Sequence, residues 1–178
     1  MRLLMLGLTI GIVCAISGCQ KVELQEFSPD GTFKVMMPPK PQQKDENFGG
    51  IPAKLWTSEY NDGAMLIAAA ELPVKDIAAA DAQNVLKEAQ KGMLKETNAT
   101  LKAETDVELK LAGKYPGRSF EATLSVPNKN GKGSVEGVNR VRIYLVGNKM
   151  FIMQALGKPD WVRKPEIDTY LDSLQITK

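Results

Sequence analysis

Three carboxylates on one stretch of alternating sequence have the spacing that could do chemistry. Glu104, Asp106 and Glu108 are each two residues apart, and side chains with that spacing point to the same face of a β-strand. Together they could approach a cation, which prefers oxygen ligands. Lys102 and Lys110 flank them on the same face, and this favours a solvated strand face over a metal site. The sequence therefore predicts neither a metal site nor a cofactor.

Catalysis by nucleophile–base pairs is limited by what the sequence lacks. It contains no histidine, so Ser-His and Cys-His pairs cannot form and the commonest ligand of transition metals is missing. It also contains no P-loop and no glycine-rich dinucleotide fingerprint. We therefore expect a protein that is not an enzyme. Chemistry carried by carboxylates alone stays open, because sequence does not show which distant carboxylates meet.

Arginines and aromatic residues are the candidates for ligand binding. Arg118, Arg140 and Arg142 could form a basic pocket for an anionic ligand, while pairing with acidic residues on neighbouring strands is the alternative use. Trp56 and Tyr60 share one face of a predicted strand and could line an apolar groove. Packing in the core is the alternative for both aromatic side chains.

A further chemically distinct residue, Cys19, ends a segment that is typical of exported proteins. Arg2 is followed by an uncharged apolar run, residues 3–13, which is shorter than the roughly 20 residues that span a bilayer. Such a run suits an export signal. The sequence Ala-Ile-Ser-Gly-Cys at positions 15–19 resembles the lipobox of bacterial lipoproteins. An ordinary signal peptide or an uncleaved anchor is the alternative.

The lipobox resemblance implies a processed, lipid-anchored protein. Residues 1–18 would be the signal peptide, and the Cys19 thiol would accept a diacylglyceryl group. Residues 19–26 would form a lipidated tether and residues 27–178 a single domain. Gln20 after the cysteine implies the periplasmic face of the outer membrane in a Gram-negative cell. We therefore expect a location in the cell envelope, with the membrane as one partner through the lipid.

Charge and cysteine content restrict the mature domain further. The chain has 23 basic and 21 acidic residues, whereas a dedicated nucleic-acid binder shows a strong basic excess, so we expect no nucleic-acid partner. Cys14 lies in the predicted signal and Cys19 is the predicted lipid site. The domain would then have no disulfide, and its stability must come from its core.

Periodicity predicts the elements that position these residues. A polar, mobile loop is expected over residues 42–50, and helices over residues 76–97 and 165–174. Short turns between successive strands require antiparallel pairing. The fold class is therefore α+β, an antiparallel sheet of about six or seven strands with helices packed on it. The predicted strands are residues 32–37, 51–60, 64–72, 99–111, 118–126, 134–146 and 149–156.

Three segments resemble the fold shared by the photosystem II PsbP protein and the transport factor Mog1. They are a strand that ends in proline (residues 31–38), a strand–turn–strand unit (residues 109–120) and a closing hairpin (residues 142–152) followed by a helix. The resemblance covers roughly residues 27–177. It implies a non-enzymatic binding or assembly module, and it transfers no functional residue.

Two functions follow as hypotheses. The first is a membrane-anchored lipoprotein of the cell envelope that binds a protein partner without catalysing a reaction. The second is a carrier of a small ligand, a lipid or a metabolite, with its groove near Trp56 and Tyr60.

Overall fold

A computed structural model describes residues 22–48, 50–74, 77, 79–110, 114–127 and 134–177. Cys19 and the predicted signal peptide therefore lie outside the described residues. The helices are α1 (Ala79–Glu96), α2 (Pro159–Val162) and α3 (Pro165–Leu171). The strands are β1 (Gln25–Phe27), β2 (Phe33–Met37), β3 (Gln42–Phe48), β4 (Ile51–Glu59), β5 (Gly63–Glu71), β6 (Thr100–Lys110), β7 (Lys114–Pro127), β8 (Ser134–Val146), β9 (Lys149–Gly157) and β10 (Gln175–Ile176).

A seven-stranded sheet in the order β3-β4-β5-β9-β8-β7-β6 forms the centre of the molecule. Each neighbouring pair is antiparallel, which confirms the predicted fold class. Strand β9 lies in the middle of the order because its residues are apolar on both faces. Met150 and Ile152 face one side, whereas Phe151 and Met153 face the other, and all four are at most 9% exposed. Burying each such side chain stabilises the fold by roughly 1.5–3 kcal/mol.

Each face of the sheet is covered by a different layer. Helix α1 packs on one face, where Leu86 meets Phe120, Val141 and Ile143 in one hydrophobic cluster. Helices α2 and α3 pack on the other face, together with a second sheet of three strands in the order β1-β2-β10. The prediction included α1, α3 and strand β2, but not α2, β1 or β10, since elements of two to four residues carry almost no periodic signal.

The predicted tether of residues 19–26 is wrong over its described part. Val22 is 3% exposed and belongs to the core, and Leu24 packs against the same cluster. Strand β1 pairs with β2, with Gln25 opposite Met37 and Phe27 opposite Val35. The folded domain therefore already includes Val22, because the side chains of Val22 and Leu24 pack in the core and β1 pairs with β2.

The predicted mobile loop over residues 42–50 is wrong as well. Residues 42–48 form strand β3, which pairs with β4 from Gln42–Thr57 to Phe48–Ile51. The sequence Gln-Gln-Lys-Asp-Glu-Asn is polar because β3 is an edge strand with both faces largely exposed. Charged side chains at a sheet edge disfavour pairing with another chain, so polarity there does not indicate a loop.

Strand β6, the opposite edge, departs from its predicted orientation. The prediction buried its odd-numbered residues and exposed its charged face. Leu109 is buried, but Leu101 is 38% exposed and Ala103 and Thr105 are exposed as well. A register shift between Leu101 and Ala103 bends the strand, and the covering layers do not extend past the sheet edge. The acids Glu104, Asp106 and Glu108 are exposed as predicted, and two of them, Glu104 and Asp106, meet Arg118 on the α1 side of the sheet.

Candidate functional site

Arg118 forms the most buried charged cluster among the described residues. It lies on β7 opposite Asp106 of β6, and only 7% of its side chain is exposed. Its Nε donates to Oε1 of Gln90 on α1 at 2.6 Å. Its two terminal nitrogens meet Oδ1 of Asp106 at 2.7 Å and Oε2 of Glu104 at 2.8 Å. The guanidinium thus ties the helix to the outer strands.

Gln90 completes this cluster, and sequence reasoning missed it. Its Nε2 donates to Oε2 of Glu104 at 3.0 Å, and the residue is 4% exposed. The signal was its position four residues after Leu86 and three before Met93, both on the apolar stripe of α1. A polar residue at such a position needs a buried partner, since an unpaired buried amide is costly.

The cluster lowers the pKa of the Glu104 carboxylate. Hydrogen bonds from Arg118, and then from Gln90, hold the pKa of Glu104 below its usual value near 4.5. Both contacts stabilise the charged form. The side chain of Glu104 remains 44% exposed and that of Asp106 remains 62% exposed, so water still reaches the two acids. The group is a charged clamp between helix and sheet.

Arg140 and Arg142 project from β8 towards α2 and α3, on the sheet face opposite Arg118. Arg140 donates to the Val162 carbonyl at 2.9 Å and pairs with Asp168 at 2.6 Å. Arg142 donates to the Leu171 carbonyl at 3.4 Å and pairs with Asp172. These contacts satisfy carbonyls at the ends of two short helices. Both arginines therefore attach the helices to the sheet.

The three arginines do not form the predicted basic pocket. Arg118 lies opposite Ile143 in the β7–β8 register, while Arg140 lies opposite Ala155 of β9. Ile143 belongs to the core on the α1 side and Ala155 to the core on the α3 side. The sheet separates the side chains, and each already holds an acidic partner. Only Arg118 pairs with acids on a neighbouring strand, as the alternative prediction had it. The acidic partners of Arg140 and Arg142 lie on α3 and at its C-terminal end.

Trp56 lies in the core and cannot line an open groove. It is 3% exposed, and its ring meets those of Phe27 at 6.0 Å and Phe33 at 5.6 Å in edge-on geometry. Its indole N–H donates to Oε1 of Gln43 at 3.2 Å. Such aromatic pairs stabilise a core by about 0.5–1.5 kcal/mol beyond their buried area, which accounts for this packing.

Tyr60 is the one member of the predicted aromatic groove that reaches the surface. Its ring lies 5.6 Å from that of Trp161 in a tilted arrangement. Burial, and then the nearby Glu23 carboxylate, raise its pKa above the usual value of 10. A tyrosinate is not formed near neutral pH, so the hydroxyl serves as a neutral polar group beside the first described residues.

An open cleft of about 490 Å³ lies between α1 and the β6–β7 hairpin. None of its lining residues lies on β4, which carries Trp56 and precedes Tyr60. Its lining includes Gln83, Asp106 and Lys114, and a pair between Lys114 and Glu108 at 3.7 Å spans its edge. The amide oxygen of Gln83 is buried there without a partner. The cleft is open and its lining is about equally polar and apolar, whereas small-molecule sites are mostly apolar and enclosed.

Neither a metal centre nor a membrane-spanning element is found within the described ranges. No group of three or more Asp, Glu, Cys or His side chains is placed to hold an ion among those residues. No helix in that part of the chain is both long and apolar enough to cross a membrane.

Comparisons with known proteins bear on the fold. No protein-family model matches the chain, and no curated protein matches it. Its structure is similar to the solution structure of cyanobacterial PsbP (CyanoP) from Synechocystis sp. PCC 6803, with a TM-score of 0.55 and 13% sequence identity. The similarity covers 92% of this chain and 98% of that chain. At this identity it shows the fold alone, a PsbP-like α+β fold.

Proposed function

We propose that this chain is a lipid-anchored lipoprotein of the cell envelope, whose PsbP-like domain binds a protein partner and catalyses no reaction. One juxtaposition carries the proposal. The lipobox cysteine, Cys19, precedes Val22 by three residues, and Val22 is already 3% exposed in the core. Three residues span at most about 11 Å. A lipid on Cys19 would hold the folded domain directly at the membrane surface.

The use of the charged side chains supports binding over catalysis. Arg118, Arg140 and Arg142 are each held in hydrogen bonds and ion pairs that attach helices to the sheet. A catalytic acid, base or nucleophile needs access to a substrate and a matched pKa. These side chains instead hold structural positions, so recognition would depend on the surface of the domain.

Exposed apolar residues are the surface features most suited to a protein contact. Interfaces are enriched in aromatic residues and depleted of charge at their centres. In the described part of the chain, large exposed hydrophobic residues include Phe48 at 41% and Leu101 at 38%. Both lie on edge strands, β3 and β6. A protein partner beside the anchored domain could therefore contact β3 or β6, the two edge strands of the seven-stranded sheet.

Lipidation is tested by mass spectrometry of the full chain expressed in a bacterium that processes lipoproteins. We expect a mature N-terminus at Cys19 that carries acyl chains. The Cys19→Ala control is exported in every experiment behind an ordinary cleavable signal peptide that replaces residues 1–18, and it should lack acyl chains and leave the membrane fraction. A bare Cys19, or a leader still attached to the chain, would overturn the proposed anchor.

Partner binding is tested by photo-crosslinking in native membranes, with a photoreactive residue at Phe48 in one variant and at Leu101 in another. We expect a discrete crosslinked protein from at least one position. The same variants carrying Cys19→Ala are the matched controls, and the product should fall when the domain is released from the membrane. Absence of a crosslinked protein from both positions counts against the protein-binding function.

A further inference from the structure

The first described residues lie at one end of the seven-stranded sheet. Strand β1 runs antiparallel to β2 with Gln25 opposite Met37, so the residues before Gln25 continue past Met37. Four residues separate Met37 from strand β3, which begins at Gln42 opposite Thr57, close to the end of β4. Met37, Tyr60 and Val22 therefore lie towards the same end, which we call the anchor end.

The surroundings of Tyr60 place the first described residues there. Val22 shares a core cluster with Trp161, and Tyr60 packs against that cluster. The Glu23 carboxylate is close enough to Tyr60 to act on its hydroxyl electrostatically. The Lys158 amide donates to the Asp62 carbonyl at 2.8 Å, which brings the start of α2 to the same place.

A projecting arm extends the sheet beyond β9 at the anchor end. Strands β7 and β8 continue their pairing from Leu124–Gly137 to Pro127–Ser134, whereas β8 and β9 stop pairing at Val138–Gly157. Four further residues at about 3.3 Å each extend the arm by roughly 13 Å. Val135 lies on this arm and is 45% exposed, which leaves an apolar side chain open to solvent.

The opposite end of the sheet, which we call the turn end, carries the Gly147-Asn148 turn. The Leu72 amide donates to the Asn148 carbonyl at 2.8 Å, and Val74 follows two residues later with 46% exposure. From Val135 to the last residue of β8 the strand covers eleven residue steps, or about 36 Å. Val135 and Val74 are thus matched in type and exposure but lie at opposite ends.

We propose that a lipid on Cys19 sets the domain upright, with the anchor end and its projecting arm against the membrane and the turn end facing away. This orientation rests on the proposed lipid anchor. The Cα of Cys19 lies within about 11 Å of Val22, a reach similar to that of the arm. The membrane surface would therefore meet Val135 and Lys158 before it meets any residue of the turn end.

Charge contributes little to this orientation. Two exposed cations at the anchor end have acidic neighbours, since Lys158 pairs with Asp62 at 2.6 Å and Arg163 pairs with Glu121 at 3.1 Å, and phosphatidylcholine headgroups carry no net charge that would attract Lys40. The acyl chains contribute about 0.8 kcal/mol per buried methylene, and this contribution is not screened by salt. We therefore expect the orientation to persist in 1 M NaCl, where exposed charges more than about 3 Å apart are screened.

The test compares Val135→Cys with Val74→Cys in the full lipoprotein. A lipidated Cys19 has no free thiol and Cys14 leaves with the predicted signal, so each variant offers one thiol to a fluorophore. The labelled proteins are reconstituted in phosphatidylcholine vesicles that carry a quencher on their headgroups. We expect about threefold stronger quenching at position 135, because some 36 Å separates the two ends. Circular dichroism of both variants verifies the fold.

The outcomes separate the orientation from the anchor. Equal quenching at the two positions, or stronger quenching at position 74, would overturn the orientation while acylated Cys19 in the same samples upholds the proposed anchor. An unmodified Cys19 by mass spectrometry would overturn both. The unlipidated Cys19→Ala forms should show no quenching at either position, and quenching that persists in them would show membrane contact without the anchor and contradict the inference.

Discussion

Replacement of Arg118 by methionine should destabilise the domain far more than the same change at a surface arginine. Methionine keeps the length of the apolar stem but removes the guanidinium. The Oε1 of Gln90 then loses its donor at 4% exposure, which costs about 1–3 kcal/mol. Asp106, with its side chain 62% exposed, can regain water and contributes only about 0–1 kcal/mol. We expect a loss of about 2 kcal/mol.

Arg163→Met is the matched control for this substitution. Arg163 pairs with Glu121 at 3.1 Å, but its side chain is 62% exposed, and exposed pairs contribute about 0–1 kcal/mol. Urea denaturation measures both variants, and the slope of the transition should not change. For a domain of this size, 2 kcal/mol corresponds to a fall in Tm of about 4–8 °C.

A double variant isolates the contact between helix and strand. Gln90→Leu removes the amide that Arg118→Met leaves without a donor, so the double variant should lose less stability than the two single variants together. A coupling of about 1 kcal/mol or more is expected for groups in direct contact. Equal losses for Arg118→Met and Arg163→Met, with no coupling to Gln90→Leu, would refute the role of the cluster in holding α1.

Four further predictions test other parts of the fold. Because the folded pKa of Glu104 is lowered, its contribution to stability is present above pH 4.5 and lost as pH falls through the folded pKa; Glu104→Gln should flatten the acid side of the stability curve, and an unchanged curve would contradict this. Tyr170 is fully buried and donates to the Leu66 carbonyl, so Tyr170→Phe should cost about 1 kcal/mol in urea denaturation, and no change would mean that the bond adds nothing. A Cβ at Gly63 would lie 2.6 Å from the Leu156 carbonyl oxygen, whereas one at Gly92 meets nothing within 4 Å; Gly63→Ala should lower Tm and Gly92→Ala should raise stability by about 0.5–1 kcal/mol. Val22→Ala should lower the free energy of unfolding by about 1–2 kcal/mol. A loss no greater than that of Glu23→Ala would support the predicted tether over residues 19–26 instead.

Local pattern was enough to predict the strands that lie between others. Strands β4, β5, β8 and β9 follow their alternation and turn residues closely, because a residue buried on a sheet face must be apolar wherever the rest of the chain lies. Short turns predicted the neighbours within β4–β5 and within β6–β9, but not the pairing of β5 with β9, which are far apart in the chain. The lipobox is likewise a local signal, and it remains a prediction for the residues before Val22.

Local sequence pattern did not predict the edge strands or which residues pair between the layers of the fold. The sequence of β3 is typical of a loop because an edge strand needs no apolar face. The sequence of β1 is typical of a tether because it has few apolar residues. The three arginines resemble one another in sequence, yet the alternation of β7 and β8 sends them to opposite faces of the sheet.

Sequence alone determined the α+β class, the central strands, the absence of histidine chemistry and the predicted lipid site, because each depends on residue type and short spacing. Tertiary structure alone decided which acid each arginine meets, that Trp56 is core, and that Val22 already belongs to the core. Those facts depend on residues far apart in the chain, such as Gln90 and Arg118, and the packing of separate layers brings them together.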